Sequence, residues 1–237
     1  MANQYFQFKQ FTIYHDRCAM KVNTDSVLLG SWADITNASA ILDVGAGTGL
    51  LAIMLAQRSG AYIEAMEVEQ SAYMQAAENI QSCPWFDRIF LHHSSFQEFA
   101  YITNKKYDLI ISNPPYFVSS LKAIKKERTM ARHCDTLTHS ELLNYSASLL
   151  TSNGLLSVIM PYSEGHIFIA EAIKYGFYCS RKTYIKSTSE QSPKRILVEF
   201  SKIPVNPAED TIIVKGGYSK KYTEKYINLT KDFYIKF

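Results

Sequence analysis

The nine residues LDVGAGTGL, Leu42 to Leu50, constrain this chain more than any other stretch. An apolar run ends in glycines at alternate positions, Gly45, Gly47 and Gly49, and an apolar helical pattern starts at once. Glycines there let the backbone bend sharply and let a ligand come close, while the helix N-terminus that follows favours negative charge. The segments around the turn repeat one theme. AILDVG, AYIEAMEV, RIFLHHS and YDLIIS read as buried strands, with GLLAIMLAQRSG and SAYMQAAENIQS as helices. Strand and helix in alternation predict a parallel, doubly wound α/β sheet.

Further along, Thr138 and Glu141 form a capping box before the helix THSELLNYSASLL, which Asn153-Gly154 closes ahead of the strand LLSVIM. Ser163 is placed to cap EGHIFIAEAIKYG, which ends at Gly176. Only STSEQSP separates the strands FYCSRKTYIK and RILVEF, so they are expected to pair as an antiparallel hairpin at the sheet edge. Two extensions flank this core. FQFKQFTIYHDRCAMKV alternates like a small hairpin, and Thr24 is placed to cap DSVLLGSWA. From Ile203 a proline-bearing linker leads into interleaved lysines and tyrosines, YSKKYTEKYINLTKDFYIKF. The expected division is an extension over 1–40 on the cofactor side, a core over 41–202 and a tail over 203–237.

Composition sets the outer limits. A chain of 237 residues, 47% hydrophobic and 20% charged, suits one α/β domain with short extensions. No apolar run approaches the roughly 18 residues of a membrane span, and the first residues do not read as a signal peptide. A cytoplasmic protein with no membrane partner is therefore expected. Cys18, Cys83, Cys134 and Cys179 are scattered without a C-x-x-C pair, so neither a metal site nor a disulfide framework is expected.

The glycine turn is not a dinucleotide fingerprint, because Leu50 stands where that motif needs Gly or Ala. Its spacing, D-x-G-x-G-x-G from Asp43, resembles motif I of the class I S-adenosylmethionine-dependent methyltransferases. The resemblance implies S-adenosyl-L-methionine as cofactor, with Asp43 and the glycines against its methionine part. An uncompensated carboxylate in an apolar strand is costly, and a positively charged ligand amine would compensate Asp43. Roughly 20 residues on, such folds present a carboxylate to the ribose hydroxyls. Of Glu64, Glu67 and Glu69, Glu67 matches the family position, Glu69 is the fallback, and Glu64 is expected to face solvent or precede the turn. Where the family usually has an adenine-binding Asp, this chain has Ser95, beside Phe96, which can flank the base. A Ser bonds more weakly and without charge. His92 and His93 face opposite ways on a strand and are read as structural.

The second constraint is SNPPYF, directly after YDLIIS. Two prolines cannot continue a strand ladder, so the chain must leave the sheet at Asn113. An exocyclic amine conjugated to a ring or carbonyl is a poor nucleophile, because its lone pair is delocalised. The side-chain oxygen of Asn113 and the main-chain carbonyl of Pro114 offer two acceptors for its protons, Pro115 completes the rigid turn, and Tyr116 supplies a ring for a planar substrate. Stacking of that kind is worth about 1–3 kcal/mol per base. Asn-Pro-Pro-Tyr after a strand, 64 positions beyond Gly49, resembles the amino-methyltransferases acting on adenine N6, guanine N2 or glutamine side chains. Next to it, SSLKAIKKERTMARHC carries Lys122, Lys125, Lys126, Arg128 and Arg132 against Glu127 alone, a local balance of +4 in a chain of net +3.

FKQFTIYHDRCAMKVNTDSVLLGSWA, NPPYF and ARHCDTLTHSELL together resemble the bacterial tRNA1(Val) adenine-N6 methyltransferase family, over essentially the whole chain. That resemblance implies a Rossmann-like class I fold, a mostly parallel seven-stranded sheet with an antiparallel edge hairpin and helices on both faces. It implies tRNA as partner, met by the five cations, and places Lys21, Thr24, Asp25 and Asn113 near the cofactor. Asp25 also suits the first turn of a helix on charge alone. The alternatives are a glutamine-N5 methyltransferase of release factors, which carries a long helical domain ahead of the glycine turn where about 40 residues stand here, and a catalytically dead RNA-binding module. A monomer is the favoured state.

Overall fold

A computed structural model describes residues 3–115, 137–217 and 221–237. The chain opens with a hairpin, β1 (Tyr5–Gln7) and β2 (Thr12–Tyr14), and helix α1 (Thr24–Trp32). Alternation then runs through β3 (Ala40–Val44), α2 (Leu50–Arg58), β4 (Tyr62–Glu67), α3 (Gln70–Gln81), β5 (Ile89–His93), α4 (Phe96–Ile102) and β6 (Tyr107–Ser112). After it come α5 (His139–Leu149), β7 (Leu150–Pro161), α6 (Tyr162–Ala172), β8 (Tyr178–Lys186), β9 (Arg195–Ser201), β10 (Ala208–Ile213) and α7 (Glu224–Thr230).

The main sheet has the order β10-β8-β9-β7-β6-β3-β4-β5. β9 runs against both its neighbours, β7 and β8, and the other pairings are parallel. Eight described strands stand where seven were expected, and the β8–β9 hairpin is not at the edge, because β10 adds to β8 in parallel. The sequence of β10, AEDTII, hides its role: four of its six residues are exposed and only Ile212 is buried. Helices cover both faces. One core joins α1, α2 and the terminal segments to the sheet, and the other packs Phe96, Leu142 and Phe168 from α4, α5 and α6 against Leu42, Ile110, Val158 and Val198.

Local punctuation follows the expected chemistry with three corrections. The N-cap of α1 is Asn23, whose side chain accepts from the Ser26 amide at 2.9 Å, and Thr24 is the first helical residue. Both residue types can cap, and only the turn into the helix decides between them. Helix α6 starts directly after Pro161, so Ser163 lies inside it. Asn153-Gly154 does not separate helix from strand, since β7 begins at Leu150 and passes through both. A Cβ at Gly154 would stand 2.8 Å from the Tyr107 carbonyl oxygen, a close approach of two strands that only glycine permits. Thr138 and Glu141 form the capping box as read, and Gly176 closes the helical segment at φ 77°.

The C-terminal segment docks on the N-terminal hairpin. Tyr226 and Phe233 are buried, the Lys9 amide donates to the Phe233 carbonyl at 2.8 Å, and Phe8 stacks between Phe11 and Tyr234. On the other face α6 lies so close to β9 that a Cβ at Gly165 would fall 2.1 Å from Cγ2 of Ile196. Gly165→Ala should therefore cost about 1–3 kcal/mol by overpacking, toward the upper end, read as a lower urea midpoint at unchanged slope. A midpoint equal to wild type would show that the two elements separate freely.

Candidate cofactor and catalytic site

Three adjacent strands, β6, β3 and β4, deliver Asn113, the glycine turn and Glu67 to one edge of the sheet, and the segment after β5 adds Ser95 and Phe96 beside them. In open α/β sheets ligands bind at these carboxyl ends. The turn is held from below: the Gly45 and Ala46 amides donate to the Met66 carbonyl at 3.1 and 2.8 Å. Gly45, Gly47 and Gly49 have φ of 76°, 55° and 79°, a left-handed conformation that side chains resist.

Asp43 is fully buried. Its Oδ2 accepts from the Ala52 amide in the first turn of α2 at 3.1 Å, and Oδ1 has no partner among the described residues. Burial, with the Glu67 charge adding to it, pushes the Asp43 carboxyl up to about 7. Glu67 is organised differently. Oε2 accepts from the Gly47 amide at 2.8 Å and Oε1 from the Val68 and Glu69 amides at 2.9 Å each. The carboxylate thereby ties the glycine turn to the end of β4. Glu69, the fallback, caps α3 instead, accepting from the Ser71 and Ala72 amides.

Two cavities flank the turn and share Gly45. One is walled by Lys21, Ser26, Gly47, Thr48 and Asn113, the other by Glu67, Val68, Ser95, Phe96 and Leu137. Roomier cavities around Asp34 and Asp108, and around Lys9 and Arg58, lack the glycine turn and lie at the opposite ends of the strands. The residues present fit S-adenosylmethionine: a glycine turn open to close approach, an orphaned buried carboxylate oxygen beneath it, and a second carboxylate at the neighbouring strand end.

Several expected contributors do other work. The Ser95 hydroxyl accepts from the Glu98 amide and donates to the Glu98 carboxylate at 2.8 Å, a capping box that opens α4. Phe96 lines the second cavity while its ring packs edge-to-face on Tyr145 at 5.7 Å. Asp25 pairs with Arg195 of β9 at 2.7 Å, and neither Thr24 nor Asp25 lines the cavities. Glu64 is not at the surface. It is buried and accepts from Tyr107 Oη at 2.6 Å and Lys105 Nζ at 2.9 Å, with His92 Nε2 at 3.0 Å. Burial pushes its carboxyl up, and those hydrogen bonds outweigh that and leave it lowered. His93 turns the other way, stacking on Tyr73 at 4.8 Å.

Asn113 stands at the exit of β6 with Pro114 buried and Pro115 exposed. Its Nδ2 donates to Ser26 Oγ at 3.0 Å, a partner that sequence did not single out. Met20, which also lines this cavity, was missed as well, because its place depends on how the N-terminal segment folds back, and Thr48 was passed over between Gly47 and Gly49. Tyr116 and the cations Lys122, Lys125, Lys126, Arg128 and Arg132 lie outside the described residues. Among the described residues no group of three or more His, Cys, Asp or Glu is placed to hold a metal, and no helix is long and apolar enough to cross a membrane.

A glycine turn over a buried acid, a carboxylate at the next strand end and Asn-Pro-Pro beside it define a class of Rossmann-like methyltransferases, and the methyltransferase small domain family matches residues 18–172. A predicted O-methyltransferase from Agrobacterium tumefaciens shares the fold, with a TM-score of 0.66 at 20% identity over 88% of this chain and 96% of the other. Full-length relatives are more specific. The tRNA1(Val) (adenine(37)-N6)-methyltransferases of Parabacteroides distasonis and Trichodesmium erythraeum are 43% and 45% identical, each over 100% of both chains. The chain belongs to the tRNA1(Val) (adenine(37)-N6)-methyltransferase family.

Proposed function

We propose that this protein methylates the exocyclic N6 amine of adenosine 37, beside the anticodon of tRNA1(Val), using S-adenosyl-L-methionine. The observation that carries the reading is the placement of Asn113 at the strand end next to the glycine turn, in a chain that matches its relatives over full length. S-adenosylmethionine, when bound, supplies a methyl group on a sulfonium and a neutral leaving group. Lys21, Asp43, Gly45, Gly47, Gly49 and Glu67 would hold it, with Ser95 and Phe96 lining the cavity that would take its adenine.

The protein's own part is alignment of the amine. The Asn113 amide oxygen and the Pro114 carbonyl accept the two N6 protons, which draws the lone pair out of the ring system and aims it at the methyl carbon. Tyr116 stacks on the unstacked base. No general base is needed before attack. The surplus proton on the methylated nitrogen stays hydrogen-bonded to those acceptors until water takes it. Lys122, Lys125, Lys126, Arg128 and Arg132 meet the tRNA backbone and hold the strand while its base is out. The segments over 1–40 and 203–237 act as a frame around the core over 41–202. The enzyme works as a cytoplasmic monomer on tRNA.

The test is a mass-spectrometric count of methylated nucleosides after incubation with S-adenosylmethionine and unmodified tRNA1(Val) transcript. One N6-methyladenosine per tRNA is expected, and none on a transcript with guanosine at position 37. Methylation of a release-factor glutamine, with the transcript untouched, would replace this reading by the protein-directed one.

A further inference from the structure

We propose that Ser26 is a positioning residue that sets the polarity of the Asn113 amide, a step that deepens the reading of Asn113 as acceptor for the substrate amine. A carboxamide has two nearly isosteric orientations. One presents an oxygen to an incoming NH₂ group, and the other presents two N–H donors that repel it. Catalysis needs the first, so something must hold the amide's own NH₂ away from the substrate. Ser26 Oγ does so, accepting from Asn113 Nδ2 at 3.0 Å across 87 residues of sequence. A hydroxyl can accept or donate and would tolerate either orientation by itself. The second neighbour breaks the tie: Met20 Sδ lies 3.9 Å from the same Nδ2, and a thioether can only accept. Serine and sulfur together favour nitrogen on their side.

Ser26 can act this way because its helix is pinned along its length. Asn23 accepts from the Ser26 amide at 2.9 Å, fixing the residue in the first turn of α1. Asp25 is ion-paired to Arg195 on β9 at 2.7 Å. At the other end Arg58 donates to the Gly30 and Ala33 carbonyls at 2.7 and 3.0 Å, and Val27, Leu28 and Leu29 are buried. A Cβ at Gly30 would touch Met54 Sδ at 2.9 Å, so α1 lies hard against α2 and has little room to slide. The helix is a rigid mount, and Ser26 is the point at which it meets the end of β6.

Two variants of the full chain test this, Ser26→Ala and Ser26→Thr, the second keeping the hydroxyl. In Ser26→Ala, kcat on tRNA1(Val) transcript should fall about 10- to 100-fold, the cost of misplaced catalytic geometry. The Kd for S-adenosylmethionine by calorimetry should stay within about twofold and Tm within a few degrees, since one half-buried neutral hydrogen bond is lost. Ser26→Thr should restore most of the rate. A second readout needs no RNA. The side-chain NH₂ pair of Asn113, assigned in ¹⁵N spectra by its absence in Asn113→Ala, should exchange faster with solvent in Ser26→Ala and not in Ser26→Thr. An Asn113 amide unmoved by Ser26→Ala, or a rate loss matched by equal losses of cofactor affinity and Tm in both variants, would overturn the assignment. Should wild-type protein leave the transcript unmethylated, the proposed function fails, while the spectra still decide whether Ser26 governs Asn113.

Discussion

Asn113→Ala is expected to lower kcat for methylation of tRNA1(Val) by about 10²- to 10³-fold, the usual cost of removing one preorganised electrostatic contact to the reacting centre. Truncation deletes one of two acceptors for the amine protons and leaves the lone pair in conjugation with the ring. The fold should barely change, because Asn113 is only half-buried and its contact to Ser26 links side chains alone. Asn113→Asp makes the argument sharper. A carboxylate keeps an acceptor toward the substrate, and the Ser26 hydroxyl can reverse its role and donate to the other oxygen. Its loss should be smaller, about tenfold, since geometry is kept while the neutral acceptor becomes a charge. Single-turnover rates with saturating cofactor measure both. Equal rates for Asn113→Ala and wild type would remove Asn113 from the chemistry.

The parts of the site that were legible in sequence are those fixed by strand ends. Hydrophobic runs locate where β3, β4 and β6 stop, and Asp43, the three glycines, Glu67 and Asn113 stand at those stops. A parallel sheet then brings them together without further instruction, because neighbouring parallel strands present the same end. Ser26 was not legible, although it lies two residues beyond Thr24. Its place beside Asn113 depends on how α1 crosses the sheet, which Arg195, Arg58 and Met54 decide from distant segments. Glu64 failed for the same reason. Its neighbours in sequence give no sign that Tyr107 and Lys105 will reach it from the start of β6 and the loop before it. β10 was missed on composition, since an edge strand can be polar on its exposed side, and the docked tail because its buried rings, Tyr226 and Phe233, are spaced among lysines.

Asp43→Asn should reverse its effect between the free and the cofactor-bound protein. The Asp43 carboxyl is raised from 3.8 to about 7 by burial, so the folded protein keeps a proton that the unfolded chain releases near 3.8. The sign follows from proton counts: between those values the native state binds more protons, and stability falls as pH rises. This contribution is fully present below pH 3.8 and is lost as pH passes through about 7. With each pH unit worth about 1.4 kcal/mol, the loss amounts to up to about 4 kcal/mol. Asn keeps an acceptor for the Ala52 amide and carries no charge to bury. Free Asp43→Asn protein should therefore lack this slope, gaining on wild type from pH 5 up to about pH 7 and levelling off above it in urea unfolding. Cofactor binding should show the opposite. A cationic ligand favours the ionised carboxylate, and a hydrogen bond to a charged group contributes about 1.5–3 kcal/mol, so affinity for S-adenosylmethionine should drop roughly 10- to 150-fold at pH 8. Wild-type affinity should rise with pH through about 7 while that of the variant stays flat. Stability curves that run parallel for the two proteins would mean that Asp43 is ionised in the free state, and that its orphaned oxygen is already satisfied before any ligand arrives.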